Sequence, residues 1–440
     1  MIDLFAGCGG LSLGLEMSEA EFSPILFSEI NPSAAATYKL NRGGQHSYTP
    51  INRLEEHTHG SPIEVADVKA LSTGKLAELK RAWDLEGIAQ TDVLCGGPPC
   101  QGYSGIGHRR TFDLHKQEIP SNFLFKEMVR TIKVVEPKIF LFENVRGLLD
   151  AKWTKTGKNG EIFREVISTF LALKNYHVRW NLVRAKDYGV PQNRPRVLVI
   201  GIHRDLLKVK EPRWDSDTII APTGIEDGFL PRGSTPPPTL PDLLDDLLDP
   251  HYDRNFTTTS YPARATTRIQ KLLRTRPGGS VAKQGSPLHE QDYSNHSEII
   301  VRKFRHMLKN DGEIPEAMRT KKFSQKVLPR HWPASGPNIT ATSMPDDYVH
   351  YYQPRILTVR EWARLQTFPD WYRFAGPRTT GGRRRAGDPS VGIWEREVPK
   401  YTQIGNAVPV LLARAIGNHL GQLLKQLGHP AREAPLCANS

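Results

Sequence analysis

The residue best placed for chemistry is Cys100, which closes the run Gly96-Gly97-Pro98-Pro99-Cys100 directly after an apolar, strand-like stretch at 93–95. Two prolines fix φ and remove backbone donors, so the thiol is presented on a stiff loop. Two glycines let the backbone turn sharply and let a substrate approach closely. A cysteine held in this way is suited to nucleophilic catalysis, and a buried structural thiol is the alternative.

A carboxyl group and two guanidinium groups could assist such a nucleophile. Glu143 ends an apolar strand, a poorly solvated setting that suits a general acid, although a cap on the next helix is an equal alternative. Arg194 and Arg196 stand one residue apart at the start of another apolar strand, so their side chains are expected on one face. They could clamp an anion, orient the acid or be surface charge.

The opening run from Asp3 to Gly14 reads as a strand, a glycine-rich turn and a helix start, the usual place for a nucleotide-like cofactor. Glu29, at the tip of the next strand, could bond both hydroxyls of a ribose, and Asp67 would face an adenine. A complete dinucleotide fingerprint and a phosphate-binding Gly-Lys-Ser/Thr are both absent from the sequence. This combination favours S-adenosylmethionine over NAD or ATP, and a tight turn without a ligand is the alternative.

The elements that must position these residues follow an alternating pattern up to about residue 204. Short apolar strands alternate with helical stretches, which predicts a parallel α/β sheet. The strands are expected at Ile2–Phe5, Ile25–Glu29, Asp92–Leu94, Lys138–Glu143 and Arg196–Ile202, and an amphipathic helix at Phe123–Val135. Proline, glycine and aspartate then become dense, as in a loop-rich entry to a second domain.

The second half of the chain gives fewer signals of regular structure. Asp242–Leu248 could be a short helix, and Thr358 with Glu361 has the spacing of a capping box. The stretch Ile404–Leu424 is rich in Ala and Leu and predicts one long helix. Between Arg264 and Arg330 there are 15 Lys and Arg against 6 Asp and Glu. Such a block is typical of a surface that neutralises phosphates, and a merely soluble face is the alternative.

Composition sets limits on the class of protein. The chain has 440 residues, is 38% hydrophobic and carries a formal charge of +12. It has no apolar run of membrane-spanning length and no secretory leader, so we expect a cytoplasmic protein. The four cysteines lack the spacing of a zinc site or a disulfide framework, so no metal is expected.

These segments together resemble the DNA (cytosine-5) methyltransferase family of the bacterial restriction-modification type. Six matching blocks occur in the family's order: Asp3–Gly14, Pro98–Gln101, Glu143–Val145, Gln192–Arg196, Arg360–Pro369 and Gln403–Pro409. The resemblance implies an S-adenosylmethionine-dependent, Rossmann-like mixed sheet with helices on both faces and a smaller, loop-rich target-recognition domain. It also implies a catalytic and cofactor-binding domain at 1–204, target recognition at 205–397 and a C-terminal helix at 398–430 that packs back on the catalytic domain.

The resemblance further assigns roles to residues. Cys100 would attack carbon 6 of a cytosine flipped out of duplex DNA. Glu143 would form hydrogen bonds to nitrogen 3 and the exocyclic amine of the ring. Arg194 and Arg196 would position the base and the acid. Cofactor contacts are expected from Phe5, Ala6, Gly7, Gly9, Gly10, Leu11, Glu29, Ile30, Asp67, Val68, Pro98, Asn406 and Ala407. DNA contacts are expected from Gln101, Ser104, Arg264, Arg268, Arg302 and Arg305.

The resemblance implies a monomer in the bacterial cytoplasm. Its implied partners are double-stranded DNA and a cognate restriction endonuclease that shares the target without necessarily binding this chain. Two other functions compete with this interpretation. A tRNA-methylating branch carries a Cys-Phe-Thr motif that this sequence lacks. A catalytically silent DNA-binding protein would not need Cys100, Glu143 and Arg194. The run Arg383–Arg385 would add phosphate contacts or belong to a surface insert.

Overall fold

The computed structural model describes residues 1–43, 48–57, 60–88, 90–99, 120–154, 156–207, 221–319, 325–331, 338–339, 345–379 and 397–427. The chain forms two compact units. The first contains Met1–Arg184, Pro195–Ser234 and Leu412–Ser440, and the second contains Ala185–Arg194 and Thr235–Leu411. The functional division at residues 204 and 397 stays a prediction.

An eight-stranded sheet organises the first unit. Its strands are β1 (Ile2–Leu4), β2 (Leu26–Ser28), β3 (Thr49–Pro50), β4 (Ile63–Val65), β5 (Val93–Gly96), β6 (Ile139–Val145), β7 (Tyr176–Arg184) and β8 (Pro195–His203). The order across the sheet is β3-β4-β2-β1-β5-β6-β8-β7. Neighbours from β3 to β6 run parallel, whereas β8 runs antiparallel to both β6 and β7. The sheet is therefore mixed, and the expectation of an all-parallel sheet was wrong at this edge.

Helices cover both faces of the sheet, because successive side chains of each strand point to opposite sides. On one face, Ile2 and Leu4 of β1 join a core that includes residues of three helices: α3 (Thr73–Leu85), Leu124–Val135 and Glu161–Leu171. On the other face, Phe27 of β2 stacks on Tyr38 of helix α2 (Pro32–Leu40), with ring centroids 4.3 Å apart. The buried Asp3 of β1 accepts a hydrogen bond there from Ser12 of helix α1 (Gly10–Glu16).

The C-terminal helical region is divided in two, which corrects the prediction of one helix at Ile404–Leu424. The structure has helices Lys400–Asn406 and Val410–Gln426. Ala407 is extended between them, with φ −60° and ψ 150°. Pro409 explains the break, because a proline disfavours helical backbone in the residue before it and donates no hydrogen bond. The second helix packs tightly on the first unit, since a Cβ at Gly421 would lie 2.5 Å from the Cβ of Ala20.

The second unit is built from short elements. Its helices are Leu240–Leu244, Tyr252–Asn255, Arg268–Arg274, Glu298–Lys309, Val359–Leu365 and Lys400–Asn406, and its strands are β9 (Lys326–Val327) and β10 (Tyr348–Val349). The predicted capping box is confirmed: Thr358 accepts from the Glu361 N–H at 3.1 Å, and the Glu361 carboxylate accepts from the Thr358 N–H at 2.9 Å. In the part of the chain that the structure describes, no helix could cross a membrane.

Candidate active site

Described segments predicted to bind the cofactor, or leading to the predicted nucleophile, follow the carboxyl ends of parallel strands. The glycine-rich turn follows β1, Glu29 follows β2, and Gly97 follows β5. β1 is hydrogen-bonded to β2 on one side and to β5 on the other, so the strand order reverses at this point. Ligands of open α/β sheets bind at the carboxyl ends of the strands beside such a reversal.

The turn after β1 has an unusual backbone. Phe5, Gly7 and Gly9 have φ of 59°, 57° and 86°. For Phe5 this left-handed conformation carries strain of order 1 kcal/mol, a cost that is concentrated at functional sites. A Cβ placed on Gly7 would meet no atom within 4 Å, so there is open space above the turn. The turn then enters helix α1 at Gly10, and the Leu11 side chain is buried.

Glu29 is fixed by the main chain around it. One carboxylate oxygen accepts from the Gly7 N–H at 2.8 Å, and the other accepts from the Asn31 N–H at 2.7 Å. Burial raises the pKa of Glu29, and these two N–H bonds oppose the rise. Each carboxylate oxygen has a second lone pair that could accept from a hydroxyl group. The side chain of Ile30 is 72% exposed beside it and offers apolar surface.

The second acid predicted for this site, Asp67, is exposed beyond the end of β4. Its carboxylate accepts from the Lys69 N–H at 3.0 Å. The side chain of the neighbouring Val68 is buried in the core. Glu29, Ile30, Asp67 and the space above Gly7 are suited to a ribose and an adenine, so the described residues fit S-adenosylmethionine.

Glu143 forms an ion pair with Arg196. Glu143 lies on β6 and Arg196 on β8, where Arg196 is the partner of Val145, two residues from Glu143 on the same face. The guanidinium Nε lies 2.5 Å from the Glu143 carboxylate, and both residues are buried. The cap on the next helix was therefore the wrong alternative for Glu143, because the turn that follows has no side-chain cap.

The glycines before Cys100 serve close packing. Neither has a positive φ, so neither position needs the conformational freedom of glycine. A Cβ on Gly96 would lie 2.9 Å from the Leu4 carbonyl oxygen, and one on Gly97 would lie 2.7 Å from the Glu143 carboxylate. The backbone at Gly97 thus passes directly over the acid.

Asn144 is a site residue that the sequence analysis missed. Its side-chain amide donates to the Pro98 carbonyl at 3.2 Å, and its own oxygen accepts from the Val145 N–H at 2.9 Å. Asn144 is buried, as are Pro98 and the acid beside it. Its signal in the sequence was its position directly after Glu143, within the matching block Glu143–Val145. Through Glu143 and Asn144, strand β6 holds the segment that leads to Cys100.

Arg194 belongs to the second unit and binds main-chain carbonyls there. It is buried and donates to the Ile339 carbonyl and, at 2.6 Å, to the Gly405 carbonyl. The nearby Gln192 donates at 2.8 Å to the Leu365 carbonyl and accepts from the Ile339 N–H at 3.1 Å. Three of the matching sequence blocks, Gln192–Arg196, Arg360–Pro369 and Gln403–Pro409, therefore meet in one buried cluster. Because Arg194 and Arg196 are both buried, surface charge was the wrong alternative for them.

Other predicted residues divide into three groups. Asn406 is exposed and Ala407 buried at the end of the helix Lys400–Asn406. The four predicted DNA contacts in the basic block are exposed: Arg264, Arg268, Arg302 and Arg305. Cys100, Gln101, Ser104 and the run Arg383–Arg385 lie outside the described residues.

The two described cysteines are poor nucleophiles. Cys8 and Cys95 are both buried. Burial raises the pKa of the Cys8 thiol to about 12 and that of Cys95 well above its usual range. Since the thiolate is the reactive form, neither side chain is suited to attack a substrate near neutral pH.

Known proteins are similar in sequence to this chain over nearly its whole length. The family model of C-5 cytosine-specific DNA methylases matches residues 1–422. The type II methyltransferase M.DdeI of Desulfomicrobium norvegicum is 29% identical over 96% of this chain and 88% of its own. The type II methyltransferase M.XorII of Xanthomonas oryzae pv. oryzae is 30% identical over 97% of this chain and 84% of its own.

A solved structure shares the fold. It is described as a DNA modification methyltransferase encoded within a prophage of E. coli, and it matches with a TM-score of 0.61 at 23% identity. The match covers 96% of this chain and 99% of the other. The fold expected from the resemblance is confirmed, and the family model covers nearly the whole chain. The chain therefore belongs to the family of C-5 cytosine-specific DNA methylases and is a DNA (cytosine-5) methyltransferase.

Proposed function

We propose that this enzyme methylates carbon 5 of a cytosine flipped out of a specific duplex sequence, with Cys100 as nucleophile and Glu143 as acid. One observation carries the assignment: the Arg196 guanidinium holds the Glu143 carboxylate against Gly97, three residues before Cys100. An acid and a nucleophile must both reach one pyrimidine ring, and a contact of Glu143 with a residue so near to Cys100 in the chain supports these two roles. Cys8 and Cys95 are buried and protonated, so neither of these two competes with Cys100 for the role of nucleophile.

The chemistry needs a covalent step because carbon 5 of cytosine is a weak nucleophile. The Cys100 thiolate forms a bond to carbon 6 while Glu143 gives a proton to ring nitrogen 3, so that electron density moves to carbon 5. After carbon 5 is methylated, a base removes its proton, and the electron pair expels the Cys100 sulfur. Glu143 takes back the proton from nitrogen 3, and the enzyme is regenerated. Arg196 keeps the acid in place throughout.

The methyl donor in this proposal is S-adenosylmethionine, which supplies an electrophilic methyl group when bound. The Glu29 carboxylate would accept from both ribose hydroxyls, and the Gly7 turn would admit the ligand without a side chain in the way. Ile30 and Asp67 would contact the adenine, and Phe5 and Pro98 would line the site. Asn406 and Ala407 are proposed as further cofactor contacts.

The second unit is proposed to bind the duplex through exposed basic residues. Arg264, Arg268, Arg302 and Arg305 form no ion pair among the described residues and so remain free for phosphates or base edges. We infer further a monomer in the bacterial cytoplasm that protects DNA from a restriction endonuclease with the same target. Arg194 would help to position the base.

The decisive experiment measures transfer of a labelled methyl group to duplex DNA and to total tRNA. Cys100→Ala should abolish transfer and leave DNA binding in a gel-shift assay largely intact, whereas Cys8→Ala is the matched control and should keep activity. Cys100→Gly should bind DNA more tightly than the wild type, because no side chain crowds the flipped base. Methyl transfer by Cys100→Ala would refute the nucleophile, and labelling of tRNA alone would refute the DNA substrate.

A further inference from the structure

The segment 264–289 of the second unit contains six Lys and Arg and no Asp or Glu. Five of the six are exposed: Arg264, Arg268, Lys271, Arg276 and Lys283. None of the five has an ion-pair partner among the described residues. The sixth, Arg274, is fully buried. One buried arginine within an exposed basic segment indicates that it has a structural purpose.

Exposed Arg276 lies in a tight hairpin whose stem begins at Arg274. Thr275 and Val281 form an antiparallel bridge. The Arg276 N–H donates to the Ser280 carbonyl at 2.8 Å, and the Ala282 N–H donates to the Arg274 carbonyl at 3.1 Å. The hairpin is therefore closed by its own backbone on both sides of the bridge, and its shape does not depend on a bound partner.

The tip of this hairpin has almost no side chains. Gly278 and Gly279 have φ of 87° and 84°, which favours glycine, and a Cβ on either would meet no atom within 4 Å. All residues from Arg276 to Val281 are exposed. The tip is thus a narrow loop of bare backbone, with Arg276 on one side and Lys283 just beyond the other.

The base of the hairpin is fixed by a buried ion network. Arg274 donates through Nε to Asp246 at 2.7 Å, and its guanidinium lies 3.8 Å over the ring of Tyr261. Asp246 also pairs with Arg364 at 2.6 Å, and Arg364 pairs with Asp370 at 2.6 Å. This network gives a purpose to the acidic stretch at 242–248, which its sequence alone left without a role.

The hairpin is tied to the same network through the main chain. The Asp370 N–H donates to the Leu273 carbonyl at 2.7 Å, directly before Arg274. The Tyr261 hydroxyl donates to the Asp370 carboxylate at 2.8 Å. A rigid mount reduces the conformational entropy lost when an exposed element is ordered on a partner.

We propose that the hairpin Arg274–Lys283 enters a groove of the DNA duplex, with Arg276 and Lys283 on flanking phosphates and the Gly278–Gly279 backbone close to the DNA. Three features favour DNA over a protein partner. The segment has no acidic residue, its tip is too narrow to bury much apolar surface, and its five exposed cations have no ion-pair partner among the described residues. A duplex carries one negative charge for about every 1.7 Å of its axis, so two cations on one hairpin can meet adjacent phosphates.

The test is the salt dependence of duplex binding by the full-length chain, measured by fluorescence anisotropy on a DNA that the wild type methylates. Arg276→Ala combined with Lys283→Ala should reduce the slope of log Kd against log salt by about 2, because each phosphate contact contributes about 0.9. At about 0.15 M salt the affinity should fall roughly tenfold, while kcat at saturating DNA should remain unchanged.

The matched control is Lys75→Ala combined with Arg319→Ala, which removes the same charge at two sites where the cation has an acidic partner. Its slope should equal that of the wild type. An unchanged slope in the hairpin variant, or an equal change in the control, would overturn the hairpin proposal. Because the inference rests on the proposed function, wild-type methylation is measured in parallel: a wild type that does not methylate the duplex refutes the function itself.

Discussion

Replacing Gly97 by alanine is expected to displace the Glu143 carboxylate while leaving the stability of the enzyme nearly unchanged. The new Cβ would lie 2.7 Å from the Glu143 Oε2, where non-bonded heavy atoms need about 3.5 Å. The carboxylate must therefore move by roughly 0.8 Å. Arg196 holds the other carboxylate oxygen at 2.5 Å, so the side chain cannot move without weakening that ion pair.

The expected effect on stability is small. The displaced atom is the end of a flexible side chain, so the strain should stay near 1 kcal/mol. Alanine also reduces the conformational freedom of the unfolded chain, which stabilises the fold by about 0.4–1 kcal/mol at a position without positive φ. The two effects nearly cancel, and Tm should move by only a few degrees.

The expected effect on the reaction is large. A misplacement of about 1 Å at a reacting group costs on the order of a hundredfold in rate, or about 2.7 kcal/mol. Single-turnover methyl transfer to duplex DNA should therefore slow by about that factor in Gly97→Ala, while DNA affinity stays within twofold of the wild type.

Gly74→Ala is the matched control, because a Cβ on Gly74 would meet no atom within 4 Å and its φ is ordinary. It should keep the wild-type rate, and its stability should rise by about 0.4–1 kcal/mol, because no contact opposes the effect on the unfolded chain. A folded Gly97→Ala enzyme with the wild-type rate would refute the reasoning, since Glu143 would then tolerate displacement and could not be the acid. A large fall in Tm would refute the stability argument instead.

Two further predictions concern the cofactor turn and the sheet beneath it. Glu29→Ala should weaken S-adenosylmethionine binding at least tenfold by calorimetry, because the ribose acceptor is lost; unchanged affinity would contradict its role. Burial raises the pKa of Asp3 from 3.8 to about 7, so its contribution to stability is complete below pH 3.8 and is lost as pH rises through 7. Asp3→Asn should therefore be more stable than the wild type by about 4 kcal/mol at pH 8 in urea unfolding, and the difference should vanish near pH 4; a difference independent of pH would contradict this.

Much of the catalytic sheet could be predicted from local pattern. The apolar runs at β1, β2, β5, β6 and β8 gave those strands to within about two residues, since a buried strand needs few polar side chains. The Thr358–Glu361 capping box is equally local, because both partners lie within one helical turn. The division of the last helix was missed, although Pro409 was visible in the sequence.

The contacts of the site could not be predicted in the same way. Asn144 reaches Pro98 across 46 residues, and its side chain alone gives no sign of that partner. Gly97 looked like a turn residue, whereas the structure gives it the task of passing over Glu143 without a Cβ. Both depend on the alignment of β5 with β6, which is a property of the folded sheet.

The sequence by itself determined the residue types that the reaction needs, their order along the chain and the fold class. Only the tertiary structure decided how each charge is used. Arg274 and Arg276 are two residues apart, yet one is buried on Asp246 and the other is exposed. Glu143 and Arg196 are distant in the chain, yet the antiparallel register of β6 and β8 makes them an ion pair. The physical reason is that a charge becomes stable in the interior only when folding brings it an opposite charge or hydrogen-bonding groups, and such partners come from far along the chain.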